Sequence, residues 1–132
     1  MSARIDRPLS PHLQTYRMTL TMAMSVVHRA TGIALYFGTL LLAWWLIAAA
    51  SGPAAYAHVQ GFMASWLGRL IAFGYTWALI HHLLSGMRYL IWDLGRGFEP
   101  RDREWLTRAA LIGSITLTIL LWVAAFAMGG GR

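Results

Sequence analysis

The sequence predicts an all-α integral membrane protein of three transmembrane helices, with its N-terminus inside and its C-terminus outside. Three observations carry that prediction. The 132 residues are 58% hydrophobic and 12% charged, whereas a soluble domain carries about a quarter charged residues. Three stretches, Ile33–Ala50, Leu70–Met87 and Ala109–Gly131, hold no charged residue; ~18 apolar residues suffice to cross a ~30 Å hydrocarbon core. Every basic residue is an arginine, and Arg4, Arg7, Arg17 and Arg29 open the first run while Arg96, Arg101, Arg103 and Arg108 separate the second from the third. Basic residues in short loops mark the cytoplasmic face, which sets the orientation.

Taken in order, residues 1–24 form an inner-face lead-in whose "RPLSPHLQTYR" is too Pro-rich for one continuous helix. The membrane domain covers 25–128, with helices expected near 25–50, 64–92 and 106–128. The dipeptide Ser51-Gly52 followed by Pro53 ends the first span and starts a short outer loop. "RGFEPRDRE", 96–104, reads as a solvated inner loop in which Pro100 breaks the helix. The third span holds Ser114, Thr116 and Thr118 and no ionisable group, so it reads as a packing helix. Residues 129–132 are a short outer tail. Trp66, Trp92 and Trp105 fall near the expected boundaries, as interfacial anchors do.

Composition also excludes. With no cysteine, this chain alone builds no disulfide, iron–sulfur cluster or thiolate metal site. The net charge of +6 is a topology signal, because the arginines flank spans and do not cluster on a soluble face; no nucleic-acid partner is expected. The seven methionines are scattered and offer no soft-ligand cluster, and His12 and His58 lie outside the spans. Pro8, Pro11, His12 and Arg17 interrupt any apolar signal core, and little chain precedes the first span, which points to a bacterial inner membrane over a mitochondrial one.

The chemistry lies in the ionisable residues within the spans, which cost ~2.5–3.5 kcal/mol each even on lenient insertion scales. In the second span, three- and four-residue steps put Gly74, Tyr75, Ala78, Ser85, Gly86 and Tyr89 on the face of His82. Small residues there admit a neighbouring helix or a flat ligand, and Gly86 clears space beside an imidazole. The pattern leaves three roles open for His81 and His82: haem ligation, interhelical hydrogen bonding, or proton relay. Arg88 has the further option of snorkelling to headgroups. In the first span, "MSVVHRATG" places Ser25, His28, Arg29 and Gly32 on one face at the inner end. A hydroxyl and a guanidinium one turn apart can donate to a quinone carbonyl or a haem propionate, although Arg29 can equally anchor the helix to lipid phosphate. His82 lies ~16 Å along the axis from Asp93 and Arg29 within ~10 Å of the inner surface, so a haem with iron level with His82 would reach His28 and Arg29 with its propionates. No second histidine is expected at matching depth on another helix, so a second axial histidine must come from another polypeptide.

Three blocks, "RPLSPHLQTYR" at 7–17, "MAMSVVHRATGIAL" at 22–35 and "HLLSGMRYLIWDLGRG" at 82–97, resemble the cytochrome b membrane anchors of succinate dehydrogenase, the larger anchor of respiratory complex II. The resemblance covers most of the chain, and three blocks in order with three spans make it specific. It implies half of a haem-binding helix bundle, completed by a second small anchor subunit, in a complex with a flavoprotein and an iron–sulfur subunit. It implies haem b shared with that partner anchor, with His82 as axial ligand to the iron, and His28, Arg29 and Arg88 in the propionate region. Ser25 and Arg29 map to the ubiquinone site. The implied function is electron delivery to ubiquinone in the respiratory chain and citric acid cycle, with no independent activity of this subunit, since the dicarboxylate chemistry lies in another subunit. Tyr89 departs from the pattern, which commonly has a second histidine there, and His81 adds an extra candidate one residue away. The anchor of a fumarate reductase and a haem-free structural anchor are the alternatives. A small transporter or proton channel would need a polar path through the whole membrane, and the polar residues here gather in the inner half.

Overall fold

The computed structural model describes residues 16–129. Most of the Pro-rich lead-in, with His12, and the tail beyond residue 129 lie outside the described residues. Four helices follow in order: α1 (Leu20–Ser51), α2 (Pro53–Ala64), α3 (Trp66–Asp93) and α4 (Pro100–Ala127). Three of them, α1, α3 and α4, at 32, 28 and 28 residues, are long and apolar enough to cross a membrane. The all-α, three-span expectation therefore holds.

Local chemistry sets where each helix starts and stops. Thr19 caps α1 by accepting from the Met22 amide, and Ser65 caps α3 by accepting from the Gly68 amide at 3.1 Å. Pro53 and Pro100 each occupy the first turn of a helix, where the missing N–H is no loss. This corrects two expectations. Pro100 begins α4 and does not break it, so the helix opens near 100 and not 106, and the loop between α3 and α4 shortens. The segment expected to be an outer loop is a 12-residue helix, α2. The end of α3 is a Schellman closure: Gly95 sits at φ +73, its amide donates to Trp92 O at 2.8 Å, and the Arg96 amide donates to Ile91 O at 3.3 Å. The short link from there to α4 makes the two helices antiparallel neighbours.

α3 packs against both α4 and α1, while α1 and α4 meet over a smaller area. The packing inverts that of a water-soluble protein. Thr31, His81, Ser85, Arg88, Thr107, Ser114 and Thr118 are buried, and Leu40, Ile47, Leu83, Leu90, Ile112 and Leu120 are among the many large apolar side chains exposed. In hydrocarbon this is the expected sorting, because lipid solvates leucine and only protein can satisfy a hydroxyl or an imidazole. Small residues bring the helices close: Gly38 of α1 lies under the Tyr75 ring of α3, where any Cβ would overlap it, and Gly68 does the same for the α2–α3 corner at Phe62.

Candidate functional site

The two adjacent histidines of α3 point about 100° apart around the helix, and each enters a different seam. His82 enters the α1–α3 seam and is half-buried. Its Nδ1 lies 3.1 Å from the His28 carbonyl oxygen and 3.2 Å from Thr31 Oγ1. The Thr31 hydroxyl gives its only hydrogen to that same carbonyl at 2.8 Å, so both atoms facing Nδ1 are acceptors. Nδ1 therefore carries the proton, and the lone pair of the neutral ring resides on Nε2. This is the arrangement of a metal-ligating histidine, which donates its second ring N–H to a backbone carbonyl. Gly32 permits it: a Cβ there would stand 3.1 Å from His82 Cε1. Gly86, four residues further along α3, has open space around it.

His28 lies face-on against His82, with ring centroids 4.0 Å apart and planes 11° from parallel. Tyr89 packs at a tilt against His28 at 5.1 Å, and Trp92 follows at 5.3 Å from Tyr89. One turn nearer the helix start, Arg29 Nη2 donates to Ser25 Oγ at 3.4 Å, with the guanidinium exposed. That contact leaves the serine O–H free to donate outward.

The α3–α4 seam is closed. His81 is 0% exposed. The Ser114 hydroxyl donates to Leu111 O at 2.8 Å, so His81 Nδ1, 3.1 Å from Ser114 Oγ, donates to it. Ser85 O–H then donates to Nε2 at 3.3 Å, and Trp77 stacks on the ring at 5.2 Å. Both nitrogens are committed, and no lone pair is left for a metal. One to two turns away Arg88, 2% exposed, donates from Nη1 to Thr107 Oγ1 at 2.7 Å and lies over the Tyr89 and Trp92 rings at 5.1 and 4.9 Å. Arg88 Nε and Nη2, and His28 Nδ1, are buried without partners among the described residues. Such groups cost about 1–3 kcal/mol each until something pairs with them.

Residues 3–126 match the family model described as the succinate dehydrogenase/fumarate reductase transmembrane subunit. The chain belongs to this family. It is 43% identical over 123 residues to the succinate dehydrogenase cytochrome b556 subunit of Paracoccus denitrificans, covering 93% of this chain and 95% of that one. It is 37% identical over 117 residues to the cytochrome b556 subunit of Rickettsia felis, with 89% and 91% covered. The mitochondrial cytochrome b560 subunit of Sus scrofa is 38% identical over 128 residues, with 93% and 72% covered. Membership makes the chain a membrane subunit of a succinate dehydrogenase-type complex, as its three-block resemblance implies.

Within this family member the structure brings His82 and His28 together in the α1–α3 seam, leaves Arg29 and Ser25 paired with each other one turn along α1, and turns Arg88 into the other seam, toward Thr107. Three expectations are corrected. His28 does lie level with His82, so a histidine of matching depth exists within the chain. Parallel stacked rings cannot approach one iron edge-on from opposite sides, however, so the pair is not a bis-histidine set. Ser85 does not share the face of His82; it serves His81, as its four-residue spacing from that residue allows. The third span is a packing helix, but its hydroxyls are bond partners for the ionisable groups of α3. Thr31, Thr107 and Ser114 are the residues whose contacts the sequence reading missed. The signal was present in Thr107, Ser114 and Thr118, a buried hydroxyl stripe at seven- and four-residue steps on α4.

Proposed function

We propose that the chain is the haem b-binding anchor of a bacterial inner-membrane succinate:ubiquinone oxidoreductase, in which His82 Nε2 would hold the haem iron. The observation that carries this reading is the pair of acceptors at Nδ1, which fixes the proton there and leaves the Nε2 lone pair without a partner among the described residues. The stacking of His28 favours a second ligand from another chain, the small partner anchor. Haem b, when bound, supplies a one-electron couple whose potential follows its ligands and local charge. His28, whose buried Nδ1 has no partner among the described residues, and Arg29, with its exposed guanidinium, suit a haem carboxylate, whereas Arg88 is turned toward Thr107 in the closed seam.

Ser25 and Arg29 serve ubiquinone. The serine O–H donates to a quinone carbonyl, and Arg29, already on Ser25 Oγ, polarises that hydroxyl and stabilises the charge that develops on the quinone oxygen as electrons arrive. The flavoprotein and iron–sulfur subunits supply those electrons from succinate, and two electrons and two protons convert quinone to quinol. The subunit has no dicarboxylate chemistry of its own.

The test is a reduced-minus-oxidised optical spectrum of the purified complex, wild type against His82→Ala and His81→Ala. A b-type α-band lost in His82→Ala and retained in His81→Ala is the expected result. Loss only in His81→Ala would move the ligand into the closed seam and overturn the assignment.

A further inference from the structure

At the end of the bundle remote from Ser25 and Arg29, a cavity of about 360 Å³ opens between α2, α3 and α4. Arg69 and Gln60 line it at that end of the bundle, and Met63, Leu121, Ala125 and Phe126 give it apolar walls. Arg69 precedes His82 by 13 residues on the same helix, so the cavity lies ~20 Å along the axis from the seam described above. Deeper in, Thr76 donates to Ala72 O at 2.7 Å and Trp122 Nε1 donates to Thr76 at 3.3 Å, so those polar groups are satisfied internally. Gln60 directs one amide hydrogen to Tyr56 and keeps a second. Among the described residues the Arg69 guanidinium has no acceptor.

The charge pattern explains why. Asp93, Glu99, Asp102 and Glu104 all sit at the opposite end of the bundle, and Asp6 precedes α1. Arg69 is the one basic residue between Arg29 and Arg88. Among the described residues Arg69 is the one arginine at this membrane boundary, it lies against an apolar slot, and no carboxylate shares that end, so a phosphate from the bilayer offers it a counter-charge. We infer that this cavity binds a membrane phospholipid, its phosphate on Arg69 and Gln60 and an acyl chain along Leu121, Ala125 and Phe126. The headgroup phosphate meets a planar fork of donors, and the slot continues into the bilayer. The inference does not depend on the haem or quinone assignment.

The experiment uses the assembled complex in mild detergent, as wild type, Arg69→Gln and Arg69→Lys, each checked for intact subunit composition. Native mass spectrometry reads the phospholipid retained. Delipidated samples are then titrated with dioleoyl-phosphatidylglycerol, with dioleoylglycerol as the phosphate-free probe, and with inorganic phosphate. One phospholipid retained by wild type and Arg69→Lys, bound about five-fold more weakly by Arg69→Gln and not replaced by dioleoylglycerol, is the expected result. Equal retention by Arg69→Gln, equal binding of dioleoylglycerol, displacement by inorganic phosphate at comparable concentration, or a wild-type complex that holds no phospholipid because a partner subunit fills the slot would each overturn it.

Discussion

The α1–α3 and α3–α4 seams share one helix and receive adjacent histidines, yet they do opposite things with them. In the α3–α4 seam, hydroxyls from both helices meet His81 on both nitrogens and the ring is wholly covered. In the α1–α3 seam, one carbonyl and one hydroxyl meet the same edge of His82, and the other nitrogen is left with its lone pair. The difference teaches that an intramembrane histidine is made structural or reactive by the number of partners its second nitrogen finds. α4 supplies Ser114 where α1 supplies backbone and Gly32. A hydroxyl closes a ring, and a glycine leaves room beside it.

If that division is right, substitutions in the open seam alter redox chemistry and leave stability alone, and those in the closed seam do the reverse. The largest effect after loss of His82 itself is expected at the quinone pair. Arg29→Ala should lower quinone reduction by about 10²–10³-fold, with the complex assembled, since it removes a charged donor from a developing oxyanion. Ser25→Ala should do so less severely. Unchanged turnover in an intact Arg29→Ala complex would remove this seam from the quinone chemistry. Gly32→Ala comes next: its methyl would press on His82 Cε1 from 3.1 Å. The expected outcome is a shifted haem midpoint potential and a broadened α-band, read by spectroelectrochemistry, with little change in thermal midpoint.

Ser114→Ala tests the closed seam. It leaves the His81 Nδ1–H without its acceptor and should cost about 1 kcal/mol, a fall of a few degrees in the unfolding midpoint of the solubilised complex, with an unaltered haem spectrum. A changed spectrum would mean that the two seams are not independent. The smallest effect is expected at Thr31. Thr31→Ala removes one of the two acceptors at His82 Nδ1 and should shift the haem potential slightly, and Thr31→Ser, which keeps the hydroxyl, should restore it. A shift that Thr31→Ser fails to restore would assign Thr31 to packing alone.

Much of this was legible in the residues. Run length and charge scarcity determined three spans, because crossing hydrocarbon demands apolar length and satisfied backbone whatever the neighbours are. The spacing of Ser25, His28 and Arg29 placed them on one face, since helical period alone decides that. The choice of His82 over His81 rested on resemblance and on Gly86. Periodicity could say that the two rings diverge, but not which seam each enters. That depends on which helix packs on which side of α3, a property of the tertiary structure that no single-helix pattern contains. The same limit hid the stacking of His28 on His82 and the turn of Arg88 toward Thr107, for both are contacts between helices, the first where Gly32 and Gly38 let α1 approach α3 and the second where Gly113 of α4 meets Leu84 of α3. Sequence determined what crosses the membrane and which groups it carries there. Tertiary structure decided which of those groups neutralise one another and which remain available to a ligand.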